Sequence, residues 1–89
     1  MDANQAHFVL CHKGVFVLPA TILRSLSGLV KNGSVYLRQD EEVLTISTQR
    51  LAGGYRRTLG ARFKHPMFRD ARRLGIVDLN DSLRVMVVA

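Results

Sequence analysis

The residues of this sequence best suited to chemistry are its arginines and lysines, and they are unevenly spread. Of the 13 basic residues, eight (Arg50, Arg56, Arg57, Arg62, Lys64, Arg69, Arg72 and Arg73) fall in one 24-residue segment whose lone acid is Asp70. That segment carries +7, while the chain as a whole carries +6 and the remainder sums to −1. Cationic groups gathered in this way bind phosphates by charge and by counterion release, and arginine also reaches guanine edges with paired donors. Segregated charge is the footprint of a surface that meets a polyanion; a face that only keeps the chain soluble has no need of segregation. Tyr55, beside Arg56 and Arg57, is placed either to stack on an unpaired base or, more plainly, to pack half-buried at a strand start.

The other candidate groups point away from catalysis. A zinc site needs four ligands, but strand alternation puts His7 and Cys11 on one face and His12 on the other, and His65 is the one further histidine. Cys11 reads as a small core hydrophobe rather than a nucleophile, because its neighbour His12 points away from the thiol. Asp40-Glu41-Glu42 reads as a solvated hairpin tip, with attraction of a basic partner or a cation as the alternative. The glycines form neither a dinucleotide fingerprint nor a phosphate-binding loop. The expectation is a non-enzyme with no metal and no cofactor.

The elements that must position the basic residues follow from the patterning. A chain of 89 residues with 47% hydrophobic content allows one small domain. Its apolar runs are too short to span a membrane, the polar start Met1-Asp2-Ala3-Asn4-Gln5 lacks the features of a signal peptide, and a lone cysteine makes no internal disulfide. A cytoplasmic setting is expected. Residues 1–6 read as a disordered lead-in and 7–89 as the domain. His7 to Cys11 alternates as a strand, His12-Lys13-Gly14 is a turn, and Val15 to Leu18 is a strand apolar enough to be buried on both faces. Pro19 opens a short helix with Ile22, Leu23 and Leu26 on its apolar stripe, and Gly28 takes the positive-φ position beyond its end. Asn32-Gly33 turns into a strand from Ser34 to Arg38, and Val43 to Thr48 returns. Ala52-Gly53-Gly54 is a flexible link, and Tyr55 to Phe63 is extended, with Gly60 at a bulge or bend. Pro66 starts a second helix, with Met67, Ala71 and Leu74 on one face and Arg69, Arg72 and Arg73 on the other. A strand from Ser82 closes the chain.

Much of this pattern occurs twice. Lys13-Gly14, a strand, Pro19, a short helix, Gly28-Leu29 and Asn32-Gly33-Ser34 match Leu59-Gly60, a strand, Pro66, a short helix, Gly75-Ile76 and, after one inserted residue, Asn80-Asp81-Ser82. The period is 47 residues, with repeat one at about 7–40 and repeat two at about 43–89. The predicted fold class is mainly β: a small closed barrel of two ββαβ repeats with two short helices and pseudo-twofold symmetry, because closure removes the edges such short strands would expose.

A Lys-Gly turn, an alternating strand ending in proline, a short helix, a Leu-Gly-Leu/Ile end and a turn into another alternating strand together resemble the AbrB/MazE/MraZ/SpoVT swapped-hairpin (cradle-loop) domains and the related double-psi β-barrels. The resemblance covers Lys13 to Ser47 and Leu59 to Val88. It implies a cytoplasmic prokaryotic DNA-binding protein, a transcription regulator or an antitoxin with a toxin partner, acting as monomer or homodimer. Carried over by position, the contact residues would be Lys13, Arg24, Arg62, Lys64, Arg69, Arg72 and Arg73, to which the charge reading adds Arg56 and Arg57. The chain departs from the pattern where Val15 and Ala61, rather than arginine, follow the glycines. Duplex DNA is the expected partner; the alternative is a protein-interaction module whose basic face docks an acidic protein.

Overall fold

Period-two alternation of apolar and polar residues sets eight of the elements, and one amphipathic segment sets the helix. The computed structural model describes residues 5–30 and 32–89. The strands are β1 (Gln5–His12), β2 (Val15–Val17), β3 (Ser34–Asp40), β4 (Val43–Ser47), β5 (Tyr55–Thr58), β6 (Arg62–Lys64), β7 (Arg73–Asp78) and β8 (Ser82–Val87). The helix α1 (Ala20–Ser27) lies between β2 and β3, and a 3-10 turn, Pro66–Phe68, lies between β6 and β7. Of the expected lead-in, residues 1–4 lie outside the described residues, and Gln5 and Ala6 already belong to β1. No helix among the described residues is long and apolar enough to cross a membrane.

All eight strands form one antiparallel, curled sheet in the order β5-β3-β4-β8-β7-β1-β2-β6. Its inner face holds the core: Phe16, Val35, Leu37, Leu44, Ile46, Phe63, Leu74, Ile76, Leu83 and Val85 are buried, as are Ile22 and Leu26 from α1 and Phe68 from the 3-10 turn. The order reads as two interlocked halves, β1 to β4 and β5 to β8. About the central β4–β8 pair, β3 is matched by β7 and β5 by β1, so each half's first strand pairs with the other half's third.

The second strands also pair, β2 with β6, and Phe16 lies opposite Phe63. Around them Leu18 N–H donates to Ala61 O at 2.7 Å, and His65 N–H donates to Gly14 O at 3.0 Å. Residues 14, 16 and 18 stand 47 positions before 61, 63 and 65, so the period read in the sequence reappears as the register of this ladder. The Phe16 and Phe63 rings stack at 5.8 Å, and Phe68 meets Phe16 edge-on at 5.7 Å.

The two halves part after the prolines. Sixteen residues join β2 to β3 but eight join β6 to β7, and the difference equals the length of α1. The expected second helix is therefore a single 3-10 turn, held by Phe68 N–H to His65 O, Arg69 N–H to Pro66 O and Ala71 N–H to Phe68 O. A helix there would leave Phe68 and Ile76 off its Met67/Ala71/Leu74 stripe. The strand instead buries Leu74 and Ile76 completely between β1 and β8.

Three further expectations are corrected. Gly28 ends α1 with φ −73°, in the right-handed region, because its N–H continues the helical bonding to Arg24 O, as the next N–H, of Leu29, does to Leu26 O. It has no structural counterpart in Gly75, which lies mid-strand beneath Val88 and Phe8. Val17 is 52% exposed rather than buried on both faces, since β2 covers the core with Phe16 alone. No ladder joins β5 to β6, so the sheet is a curled half-barrel rather than a closed one. Across that seam the side chain of Arg57 donates to Arg62 O at 3.3 Å and Lys64 O at 3.5 Å, and its guanidinium lies 4.6 Å over the Phe63 ring.

The Lys13–Gly14 turn is a two-residue hairpin with both φ values positive, 53° and 81°. A Cβ on Gly14 would meet the backbone oxygen of His65 at 2.9 Å, whereas one on Gly33, also at positive φ, meets nothing within 4 Å. Urea unfolding should show Gly14→Ala costing about 3 kcal/mol, because a backbone clash adds to left-handed strain, and Gly33→Ala about 1 kcal/mol from strain alone. Equal costs would mean that the Gly14–His65 approach contributes nothing.

Candidate nucleic-acid interface

β6 is three residues long, and its alternation decides where its charges go. Phe63 turns into the core, so Arg62 and Lys64 turn outward, opposite Val17 and Val15 of β2. The β1–β2 turn projects Lys13 at the same end, and the 3-10 turn brings Arg69 back over it. Lys13, Lys64 and Arg69 thus line one open depression of 400 Å³ with His65 and Pro66, and no acidic residue among those described lines it. All three cations are exposed, and Arg62 follows two residues along β6 on the same face. Among the described residues the one ion pair is Arg38 with Asp40, at 2.8 Å, so none of these four cations has an acidic partner. Unpaired cations on one concave surface offer an anion several donors at once.

His65 is a support for this site. It is 8% exposed, and its Nδ1 accepts the Met67 N–H at 3.1 Å, capping the 3-10 turn that carries Arg69. The proton of the neutral ring therefore sits on Nε2. Burial first, and the nearby Arg57 charge second, hold its pKa below the ordinary value. Cys11 is buried beneath the same turn, where its Sγ donates to Phe68 O at 3.6 Å and burial pushes the thiol pKa up. Both facts describe a packed thiol, not a nucleophile. Among the described residues no three His, Cys, Asp or Glu side chains come together as a metal site, and His12 is exposed on the face opposite Cys11.

The remaining residues expected at the interface are dispersed. Arg56 lies on the outer face of β5 beside Tyr36 of β3 and shares a polar groove with Arg50, Ser34 and Gln49. Arg57 is half-buried in the β5–β6 seam. Arg24 is exposed in the last turn of α1, where a cation suits the helix dipole. Arg69, Arg72 and Arg73 do not share a helix face, because the chain turns extended after Ala71. Arg72 lines a cleft between β1 and β2, and Arg73 lies over the Phe8 ring at 4.9 Å. Tyr55 is 51% exposed at the start of β5. The sequence did not expose the roles of His65 and Arg57; the signal for His65 was its place directly before Pro66, a helix-capping position.

Comparison of the chain with protein-family models, with curated proteins and with solved structures returns no match. The functional reading therefore rests on the site's own geometry and chemistry.

The His65 environment makes a pH prediction. The unfolded chain takes up a proton near pH 6.5, but the folded chain resists it, so the stabilisation is complete above that pH and declines as pH falls toward the lowered folded value. Thermal unfolding of the wild type should show a larger loss of Tm between pH 7 and pH 5 than unfolding of His65→Asn, which keeps an acceptor for Met67 N–H but does not titrate. Parallel pH profiles would remove His65 as the source.

Proposed function

We propose that this chain binds duplex DNA through the surface formed by Lys13, Arg62, Lys64 and Arg69, as a regulator or antitoxin of the AbrB-like kind. The observation that carries the reading is the convergence of Lys13, Lys64 and Arg69 on one depression, with no acid in its lining and no ion pair to any of them among the described residues. A duplex presents rows of phosphates at a spacing that such a concave cationic surface can follow, and phosphate contacts set position before any base is read. Arg62, two residues further along the same strand face, extends the contact toward a second phosphate. The interlocked halves of the curled half-barrel support an AbrB-like scaffold. Arg57 serves that scaffold, with Arg24, Arg56, Arg72 and Arg73 outside the main contact.

Fluorescence anisotropy of a labelled duplex pool at two salt concentrations tests this. The Lys13/Lys64/Arg69 triple alanine variant should lose at least about tenfold in affinity, and the slope of log K against log salt should fall by about 2.7, for three lost phosphate contacts. The Arg72/Arg73 double alanine variant should bind nearly as the wild type does. Loss in the second variant equal to that in the first would remove the depression as the interface.

A further inference from the structure

The β1–β2 hairpin is not zipped along its length. β1 pairs with β7 from Gln5 to Leu10, but with β2 only at Cys11 and His12, since β2 ends at Val17 and the chain turns away toward α1. Cys11 N–H donates to Arg72 O at 2.8 Å, so the odd-numbered residues of β1 direct their backbone groups toward β7. The N–H and C=O groups of Ala6 and Phe8 point to the open side, where no strand among the described residues pairs with them. Between the diverging strands lies a cleft of 590 Å³ with Phe16 and Cys11 in its floor and Leu10 and Val17 on its rim. Leu10 is 81% exposed and Val17 52%, and Phe8 continues the apolar strip along the β1 edge at 57%.

Free strand edges are usually blunted by lysine, proline or an inward charge. Residues 5–12 of β1 contain no lysine, arginine, aspartate or glutamate and no proline. An open edge beside an apolar cleft is the arrangement that accepts an added strand: main-chain bonds supply the affinity, and alternate side chains fill the cleft. The charges around it specify the occupant. Arg72 lines the cleft, Arg73 lies over Phe8, and none of the described acidic residues is in the lining. A second copy of this chain, itself at +6, would bring the same arginines together.

We propose that the open edge of β1 and the β1–β2 cleft dock an extended peptide of a partner protein, with alternating apolar residues and acidic flanks, by strand addition. This site shares no lining residue with the depression assigned to DNA. It gives the chain a protein partner independent of its nucleic-acid contact.

The test uses the full chain and a fluorescein-labelled peptide with a Val-Thr-Val-Thr-Val core between Asp pairs, beside a counterpart flanked by Lys pairs. The acidic peptide should bind, the lysine peptide should bind at least about fivefold more weakly, and Arg72→Gln should narrow that preference. Leu10→Ser and Val17→Ser should each weaken binding by about tenfold, whereas Leu29→Ser, at an exposed leucine outside the cleft, should not. Amide shifts on titration should be confined to residues 6–12, 15–17 and 72–73. No binding, equal binding of both peptides, or shifts centred on Lys64 and Arg69 would overturn the proposal. So would a stable homodimer by sedimentation that Leu10→Ser converts to monomer, since the edge would then belong to a second copy.

Discussion

The contact between Phe16 and Phe63 is the constraint on which the rest of the molecule hangs. Each phenylalanine is the central residue of a three-residue strand, too short to hold its place by hydrogen bonds alone. Stacked on each other, with Phe68 edge-on and Arg57 over the outer ring, they fix the β2–β6 crossing in a dry, close-packed setting. Phe16 pairs with Cys11 of β1 as well as with Phe63 of β6, so the same residue also forms the floor of the cleft. The alternation that turns Phe63 inward turns Arg62 and Lys64 outward. One apolar contact thus touches both surfaces to which a function is ascribed.

Electrostatics separates those surfaces. Most of the chain's excess cation comes from one segment, but the fold divides it among the depression at the β1–β2 turn, the groove beside β5, the seam and the rim of the cleft. Arg57 shows how context changes a residue's work. Set half-buried over an aromatic ring and pointed at two carbonyls, it stands in for a missing ladder and raises the cost of protonating His65.

The strands were legible from alternation, and the turns from residues that tolerate positive φ: Lys13-Gly14 and Asn32-Gly33 lie where their chemistry placed them. The 47-residue spacing of Phe16 and Pro19 from Phe63 and Pro66 was visible too, and the two phenylalanines lie opposite each other in the β2–β6 ladder. The segment after Pro66 misled. Its apolar residues satisfy a helical stripe, yet Leu74 and Ile76 also satisfy strand alternation, and only the demand for a strand between β1 and β8 chooses between the two periods. That choice moved Arg72 and Arg73 off the expected face. The cleft was hidden for a similar reason: β1 runs on beyond its pairing with β2 because it is held by β7, 63 residues away at Leu10–Arg73, and nothing local to the hairpin encodes that.

The interlocking of the halves bears on how the chain acquires its structure. During synthesis from the N-terminus, the first half can zip β3 onto β4, but β1 has no neighbour on its longer side until β7 exists, and β4 waits for β8. β2 likewise waits for β6. Four of the seven ladders, β3–β5, β4–β8, β1–β7 and β2–β6, join one half to the other, a topology that folds slowly and in one step rather than half by half. Severing the link near Gly53 and Gly54 would yield two fragments that are each other's missing template, complementary pieces able to assemble a sheet that neither builds alone.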